Sequence, residues 1–533
     1  MVPIILLLVL IIPVAATAHN HTSPRCGFET AFGIPGVHTL PYGTILNTRP
    51  TTLPETAESA DGSFRVHYIR SGPDAVPADD INHNGIPDFV DEALAALTYS
   101  REQYIAMGYR VPPGDGGAGG SDAIDVYMRD LSTAGPSGQG LYGLTSPDTR
   151  ISQTTPPRFT SFIEVDNNFS ADDRNSSGGI VYGTTGVNGL RVTCAHELYH
   201  VFQSGSYGVF QVQPMIYEFT ATLMEQLLYP TIPDWVSYTS KLFTRPAEWP
   251  FGTSSGITGY VWGFWGQVVY NSPARNAILD IWNQIYNGTY PMQAFVNAID
   301  ANGTSLRDVF CNSLPLFYAT GSRSVETDGL LFSADLPEIQ LGIDAPAEPP
   351  STMATGNLRA FEVRAFRYSL PNADGNGRVS AAIVVTWPDA EAFVRSNPNE
   401  QNPFTIIVTN SPLPSDIPIA GTTWGVRITP SNICAWVQGS ATHHVEAPYP
   451  NPVRLSQSTI INIPVNAQPG ENVEVTLLTS DFIGIATFRT TVILDDVRPV
   501  ARIELSPTLQ NGPYLLRIQT NSATTLTKCM ILR

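Results

Sequence analysis

The sequence predicts a multidomain protein in which an α+β domain over residues 63–328 is followed by β-sandwich modules at 329–446 and 447–533. Three observations carry that expectation. The 533 residues, 42 % of them hydrophobic and 10 % aromatic, are enough for several buried cores. Between Phe64 and about Ser324, strand-like alternation gives way repeatedly to helical periodicity, as in α+β domains. Beyond about residue 330 the helical period stops, and Val/Thr/Ile runs recur between Pro, Asn and Gly turns, the pattern of sandwiches.

The elements follow in chain order. Residues 1–18 have an apolar core from Ile4 to Val14 and end in Ala16-Thr17-Ala18, which reads as a cleaved signal peptide. That run is short for a bilayer span and no second long apolar run follows, so no transmembrane anchor is expected. Residues 19–62 are rich in Pro and Thr with little periodicity and read as an N-terminal leader or pro-like segment. Strands are expected at 64–69, 123–128 and 162–165, and helices at 90–107, 190–203, 215–228, 261–271, 275–286, 291–299 and 305–318. Runs at 381–386 and 404–409 mark the first sandwich, and the Pro-rich stretch 447–452 opens the second.

Charge excludes one class of partner. Acidic residues number 47 against 29 basic, for a net charge of −18, and only 14 % of residues are charged. No basic stripe exists to grip phosphates, so no nucleic-acid partner is expected. Oligomeric state is not written in the composition. Five cysteines, at 26, 194, 311, 434 and 529, are too few and scattered for a disulfide framework.

The chemistry concentrates in His196-Glu197-Leu198-Tyr199-His200. Residues four apart share a helix face, so both imidazoles can reach one metal. Glu197 is then placed to act as general base toward a metal-activated water. Asn188 is a candidate N-cap for this helix and Ser204-Gly205 a stop. A third ligand cannot be a histidine six residues on, where Ser206 stands. The helix at 215–228 offers Glu218 and Glu225, which share a face; the one that does not ligate can bond an imidazole N–H or backbone group or be solvated. Tyr260, in an aromatic cluster running to Trp265, is a candidate donor to an oxyanion or a member of an aromatic core.

Upstream, Asp80, Asn82, Asn84, Asp88 and Asp91 occupy positions 1, 3, 5, 9 and 12 of a twelve-residue loop, with Gly85 at position 6 and the Ile86 carbonyl at position 7. Hard oxygens at this spacing suit Ca²⁺. Asp in place of Glu at the last position points to a constitutive extracellular site; an Asx-rich turn is the plain alternative.

From Phe64 to about Gly321 the chain resembles a family of secreted bacterial metalloproteases in the Glu-zincin group. The resemblance runs through Phe64-Arg-Val-His-Tyr68, Asn84-Gly-Ile-Pro-Asp88, Thr193-Cys-Ala-His-Glu-Leu-Tyr-His200 and Glu218-Phe-Thr-Ala-Thr222. It implies a zincin-like metalloprotease domain, Zn²⁺ held by His196, His200 and Glu218, Glu197 as base, and protein or peptide substrates. Glu218 stands 18 residues past His200, close to the spacing of that group, which leaves Glu225 in an outer role. The chain departs from the group at Thr222, where an acid is common. The stretch from Tyr449-Pro-Asn-Pro452 through Gly512-Pro-Tyr-Leu-Leu-Arg-Ile518 to Arg533 resembles a type IX secretion C-terminal sorting domain. That implies the type IX machinery as a partner and a secreted or cell-surface location. Pro24-Arg-Cys-Gly27 resembles the cysteine-switch segment of matrixin pro-peptides, which would make Cys26 a latency switch. A disulfide to Cys311 or a plain buried thiol is the other reading.

The expected function is a secreted zinc-dependent endopeptidase, with strand 162–165 holding an extended substrate by strand addition. The rival is a cell-surface binding or adhesion protein with structural zinc and calcium, which a fourth protein ligand on the metal would favour. A metallohydrolase acting on something other than peptides is a third reading.

Overall fold

The computed structural model describes residues 26–533 apart from 34–40, 42, 136–137, 253–254, 325–332, 374–376, 396–398, 411, 441–447, 466, 480–483, 496–497 and 521–523. The signal-like stretch 1–18 and Pro24 lie outside the described residues. Among the described residues, several sheets and eleven helices make a multidomain α+β protein, and no helix of them is long and apolar enough to cross a membrane.

The first sheet holds β1 (Glu55–Glu58), β2 (Phe64–Tyr68), β3 (Ile124–Arg129), β4 (Gly143–Arg150) and β5 (Phe159–Asp166) in the order β1-β2-β3-β5-β4. β2, β3 and β5 run parallel, while β1 and β4 pair antiparallel at the two sides. Two expectations change here. The stretch 19–62 is not simply a leader, because β1 belongs to the sheet and a short helix, α1 (Phe28–Phe32), buries Phe28 and Phe32 in the domain core. Strand 162–165 cannot accept another strand, because β5 is paired on both sides. The outer strand on that side is β4.

Helices cover the sheet. They are α2 (Asp88–Ala106), α3 (Gly186–Phe202), α4 (Met215–Leu228), α5 (Val236–Thr244), α6 (Gly256–Val261), α7 (Gly263–Asn271), α8 (Ala277–Tyr286), α9 (Pro291–Ala301) and α10 (Leu306–Tyr318). α8 shows why the helical period was readable: Ala277, Ile278, Ile281, Trp282 and Ile285 are its buried residues, one apolar stripe at helical spacing. The expected helix at 261–271 is two, broken at Trp262. α3 starts after Thr185, so Asn188 lies inside it, and it does not stop at Ser204 but continues as a π-turn over Gln203–Tyr207. That turn ends at Gly208, whose φ of 103° suits a residue without a Cβ.

The next module packs two four-stranded sheets face to face. One sheet holds β6 (Leu341–Pro346), β8 (Val363–Pro371), β9 (Arg378–Thr386) and β13 (Cys434–Ser440). The other holds β7 (Ser351–Arg359), β10 (Gln401–Thr409), β11 (Ile417–Pro418) and β12 (Gly425–Thr429), and α11 (Ala390–Val394) links β9 to β10. Its core is continuous with that of the first domain: Phe251 stacks on Phe393 at 5.2 Å and Phe310 meets Phe361 at 4.8 Å. A disulfide from Cys311 on α10 to Cys434 on β13 ties the two. The expected alternative of a Cys26–Cys311 bridge is thereby excluded, and Cys26 is a free thiol. The bridge closes a loop of 123 residues, for which the chain-entropy account gives about 5 kcal/mol, with measured values often lower. Replacing both cysteines by Ser should lower the thermal unfolding midpoint of the first sandwich, read by scanning calorimetry.

The last module has its own core, around Val475, Ile503, Leu516 and Ile531. Its strands are β14 (Val453–Arg454), β15 (Ile460–Pro464), β16 (Asn472–Thr479), β17 (Gly484–Asp495), β18 (Arg498–Glu504), β19 (Gly512–Gln519) and β20 (Thr524–Leu532). They form one sheet in the order β14-β20-β19-β16-β17-β18-β15. The long β17 pairs with β16 near its start and β18 near its end, so the sheet folds over on itself. Among the described residues the two halves share β17, so the module departs from the expected sandwich in being joined through one strand.

Candidate metal centre

Among the described residues, one group of His, Cys and acidic side chains brings its donor atoms within 4.8 Å of one another: Cys26, His196, His200 and Glu218, all buried. The two histidines come from α3 and the carboxylate from α4, which packs against it. Glu218 Oε2 lies 3.1 Å from His196 Nε2 and 3.3 Å from His200 Nε2, and the two Nε2 atoms are 3.1 Å apart. A tetrahedral ion with bonds of about 2.0–2.1 Å has ligands roughly 3.3 Å from one another, so this triangle has the size of one face of such a site.

The outer bonds decide the tautomers. His196 Nδ1 lies 2.6 Å from Glu225 Oε1, and His200 Nδ1 lies 2.6 Å from Gln203 Oε1. Gln203 is oriented by its own amide nitrogen, which donates to the Tyr217 carbonyl at 3.0 Å. Both Nδ1 atoms are therefore donors, which leaves both Nε2 atoms as bare acceptors facing a carboxylate. Three converging acceptors need a cation or a proton between them. Without the cation, burial works against a charged imidazole, but the bonds to Glu218 and Glu225 outweigh it and push the His196 pKa up to about 10. Burial likewise opposes the Glu218 charge, and the facing histidines overcome it, holding that pKa down to about 2. The residues present fit a divalent ion.

Glu197 is 1 % exposed yet is not part of the donor triangle. Its Oε2 accepts from the Thr145 hydroxyl on β4 at 2.7 Å and lies 3.4 Å from Cys26 Sγ. Burial raises its pKa. β4 can approach so closely because position 143 is Gly: a Cβ there would stand 2.7 Å from Glu197 Cγ. Tyr260 reaches the centre from α6. Its ring stacks on His196 at 5.4 Å and its hydroxyl lies 3.4 Å from His196 Nε2. Gly259 makes that crossing possible, since a Cβ there would meet Met215 O at 2.5 Å and Glu218 Cβ at 2.7 Å.

Of the expected residues, Cys26, His196, His200 and Glu218 bring their donors together, Glu197 and Tyr260 stand beside them, and Glu225 lies behind His196 at Nδ1. Thr145 and Gln203 were not expected. Gln203 lies three residues past His200, inside the helix expected at 190–203, and its backbone is helical, so the i to i+3 spacing was the available signal for its bond to His200 Nδ1. Thr145 sits on a strand the periodicity did not reveal.

The loop at 80–91 closes on itself. Asp80 accepts from the Asn84 and Gly85 amides at 3.1 and 3.0 Å, Asn84 accepts from the Ile86 amide at 2.7 Å, and Gly85 has a φ of 84°. The side-chain amides of Asn82 and Asn84 both donate to Asp91 Oδ2, at 2.9 and 2.8 Å. Asp88 stands apart from this convergence, with its carboxylate on the Ile81 amide. The Asn82 and Asn84 side-chain oxygens are taken by the Asn84 and Ile86 amides, at 2.9 and 2.7 Å, so the loop turns carboxamide nitrogens, not oxygens, toward Asp91.

No family model matches the chain, and neither a curated protein nor a solved structure matches it.

Proposed function

We propose that the protein is a secreted zinc-dependent endopeptidase with a zincin-like domain. One observation carries the reading: Glu197 is a fully buried carboxylate beside the donor triangle and outside it. Burying a carboxylate is costly, and a purely structural metal site has no use for one that does not ligate. A base that must meet water at the metal does.

In this reading His196, His200 and Glu218 hold zinc. Bound there, zinc acts as a Lewis acid toward the peptide carbonyl and makes water acidic enough to be deprotonated near neutral pH. Glu197, fixed by Thr145, takes the proton of the attacking water and delivers it to the leaving amine nitrogen. Tyr260 donates its hydroxyl to the oxygen on which negative charge develops. Glu225 and Gln203 hold the imidazoles with Nε2 inward. The decisive measurement is cleavage of an unstructured protein alongside zinc content; a chain that holds one zinc and cuts nothing, in any form, sinks the reading.

We also assign calcium to the loop at 80–91, and export to the signal-like stretch 1–18 and the type IX sorting module at 447–533, with the type IX machinery as partner. Because α2 begins at Asp88 within that loop, calcium should stabilise the domain's entry. Chelating it should lower stability by about 2–3 kcal/mol relative to calcium at about 100 times its Kd, read as thermal midpoints in calcium and in chelator.

A second reading has its own support. Cys26 brings a fourth protein donor to the cluster, and a closed site of that kind fits a cell-surface binding or adhesion protein with structural zinc and calcium.

A further inference from the structure

The fourth donor comes from a segment that also fills the space a substrate would need. Cys26 is buried, its Sγ accepts from the Phe28 amide at 3.2 Å, and it lies in the donor cluster. The chain there runs parallel to β4, bridging Cys26 to Gly143, with the Gly27 amide donating to the Gly143 carbonyl at 3.2 Å. The far end of the same edge is covered too, where Leu46 donates to the Asp148 carbonyl at 2.7 Å and Arg150 to the Thr44 carbonyl at 3.1 Å. An extended peptide seeking β4 finds both ends of it paired.

α1 completes the obstruction. Phe28 stacks on His200 at 4.0 Å with the rings 10° from parallel, and Glu29 accepts from the Gly256 amide at the start of α6 at 3.2 Å. On the inner side, the space bordered by Cys26, Glu197, His196 and Tyr260 is about 10 Å³, near the minimum of about 10–15 Å³ for a single water. On the outer side lies a cavity of about 1030 Å³, walled by Phe28, Glu29, Phe32, Tyr217 and Pro214. α1 is the partition between a groove of peptide size and the donor cluster.

Charge favours the same arrangement. A thiolate and a carboxylate with two neutral imidazoles neutralise a divalent ion, which suits a buried site. We propose that residues 26–33 are a built-in inhibitor: the Cys26 thiolate is the metal's fourth ligand, and the segment lies where substrate would bind, so the full chain is latent. This rests on the peptidase reading. Release requires only that the Cys26 sulfur leave the metal and water take its place, with α1 swinging out of the groove.

The test loads the metal-free full chain and its Cys26→Ala variant with Co²⁺ alone and follows cleavage of an unstructured protein by the zinc forms. The proposal expects one cobalt per chain in both, a thiolate-to-cobalt charge-transfer band in the near ultraviolet only in the wild type, and cleavage at least about a hundredfold faster in the variant. Cobalt bound by the wild type without that band overturns the ligand assignment. Equal cleavage by the two overturns latency and leaves the peptidase standing. No cleavage by either, with the band present, overturns both latency and the peptidase and leaves Cys26 as a structural ligand. Should Cys26→Ala fail to fold, alkylation of the wild type with iodoacetamide decides. Cys26 should react at least about tenfold more slowly with metal than without, while Cys194 and Cys529, also buried thiols, show no such change; equal rates at Cys26 overturn the proposal.

Discussion

Replacing Glu197 by Gln should leave the metal in place and remove hydrolysis. In a chain opened by Cys26→Ala, cleavage of an unstructured protein should fall by about 10²–10⁴-fold, the range of a general base, with zinc stoichiometry unchanged. The geometry dictates both halves. Glu197 Oε2 is engaged by Thr145 and the Cys26 sulfur, outside the triangle of His196, His200 and Glu218, so its charge is not needed to hold the ion. Gln keeps the shape and can still accept from the Thr145 hydroxyl, yet it cannot take a proton from water. Element analysis by mass spectrometry and a timed digest read the two outcomes. Undiminished cleavage would remove Glu197 from the mechanism; loss of zinc would show that it ligates.

Much of the candidate centre was legible because its signals are local. His196, Glu197 and His200 lie within one turn and a half of a helix, and Glu218 and Glu225 share the face of a helix whose bounds the apolar period gave. Their meeting across α3 and α4 follows from two buried stripes packing together. What escaped depends on chain segments far apart. Nothing near Thr145 marks it as a partner of a residue on α3, and β4 carries Pro147 and Asp148, which hide a strand from propensity. The Cys311–Cys434 pairing is settled by how a helix of the first domain meets a strand of the sandwich. α1 and β1 were hidden in a Pro-rich stretch because each is too short for periodicity to show. Between the two carboxylates, the spacing from His200 favours Glu218, and it is Glu218 that the two Nε2 atoms face.

That last choice yields the second strong expectation. Glu218→Ala and Glu225→Ala should both weaken zinc binding, for different reasons. Buried zinc sites of this type bind with about 10–16 kcal/mol, so one of four donors carries roughly 3–4 kcal/mol, or about 10²–10³-fold in affinity. Glu225 touches only the far side of His196, at Nδ1. Its loss frees the imidazole to turn or to move its proton to Nε2, which a metal cannot use, at a cost of about 10–100-fold. Magnitude alone would separate the two poorly; chemistry separates them well. Removing the Glu218 side chain leaves an open coordination position lined by His196 and His200, so added acetate should restore a large part of the lost affinity. In Glu225→Ala no position on the ion has been vacated, and acetate should do nothing. Competition with a zinc-binding dye, with and without acetate, reads both. Rescue of Glu225→Ala and not of Glu218→Ala would exchange the roles of the two carboxylates.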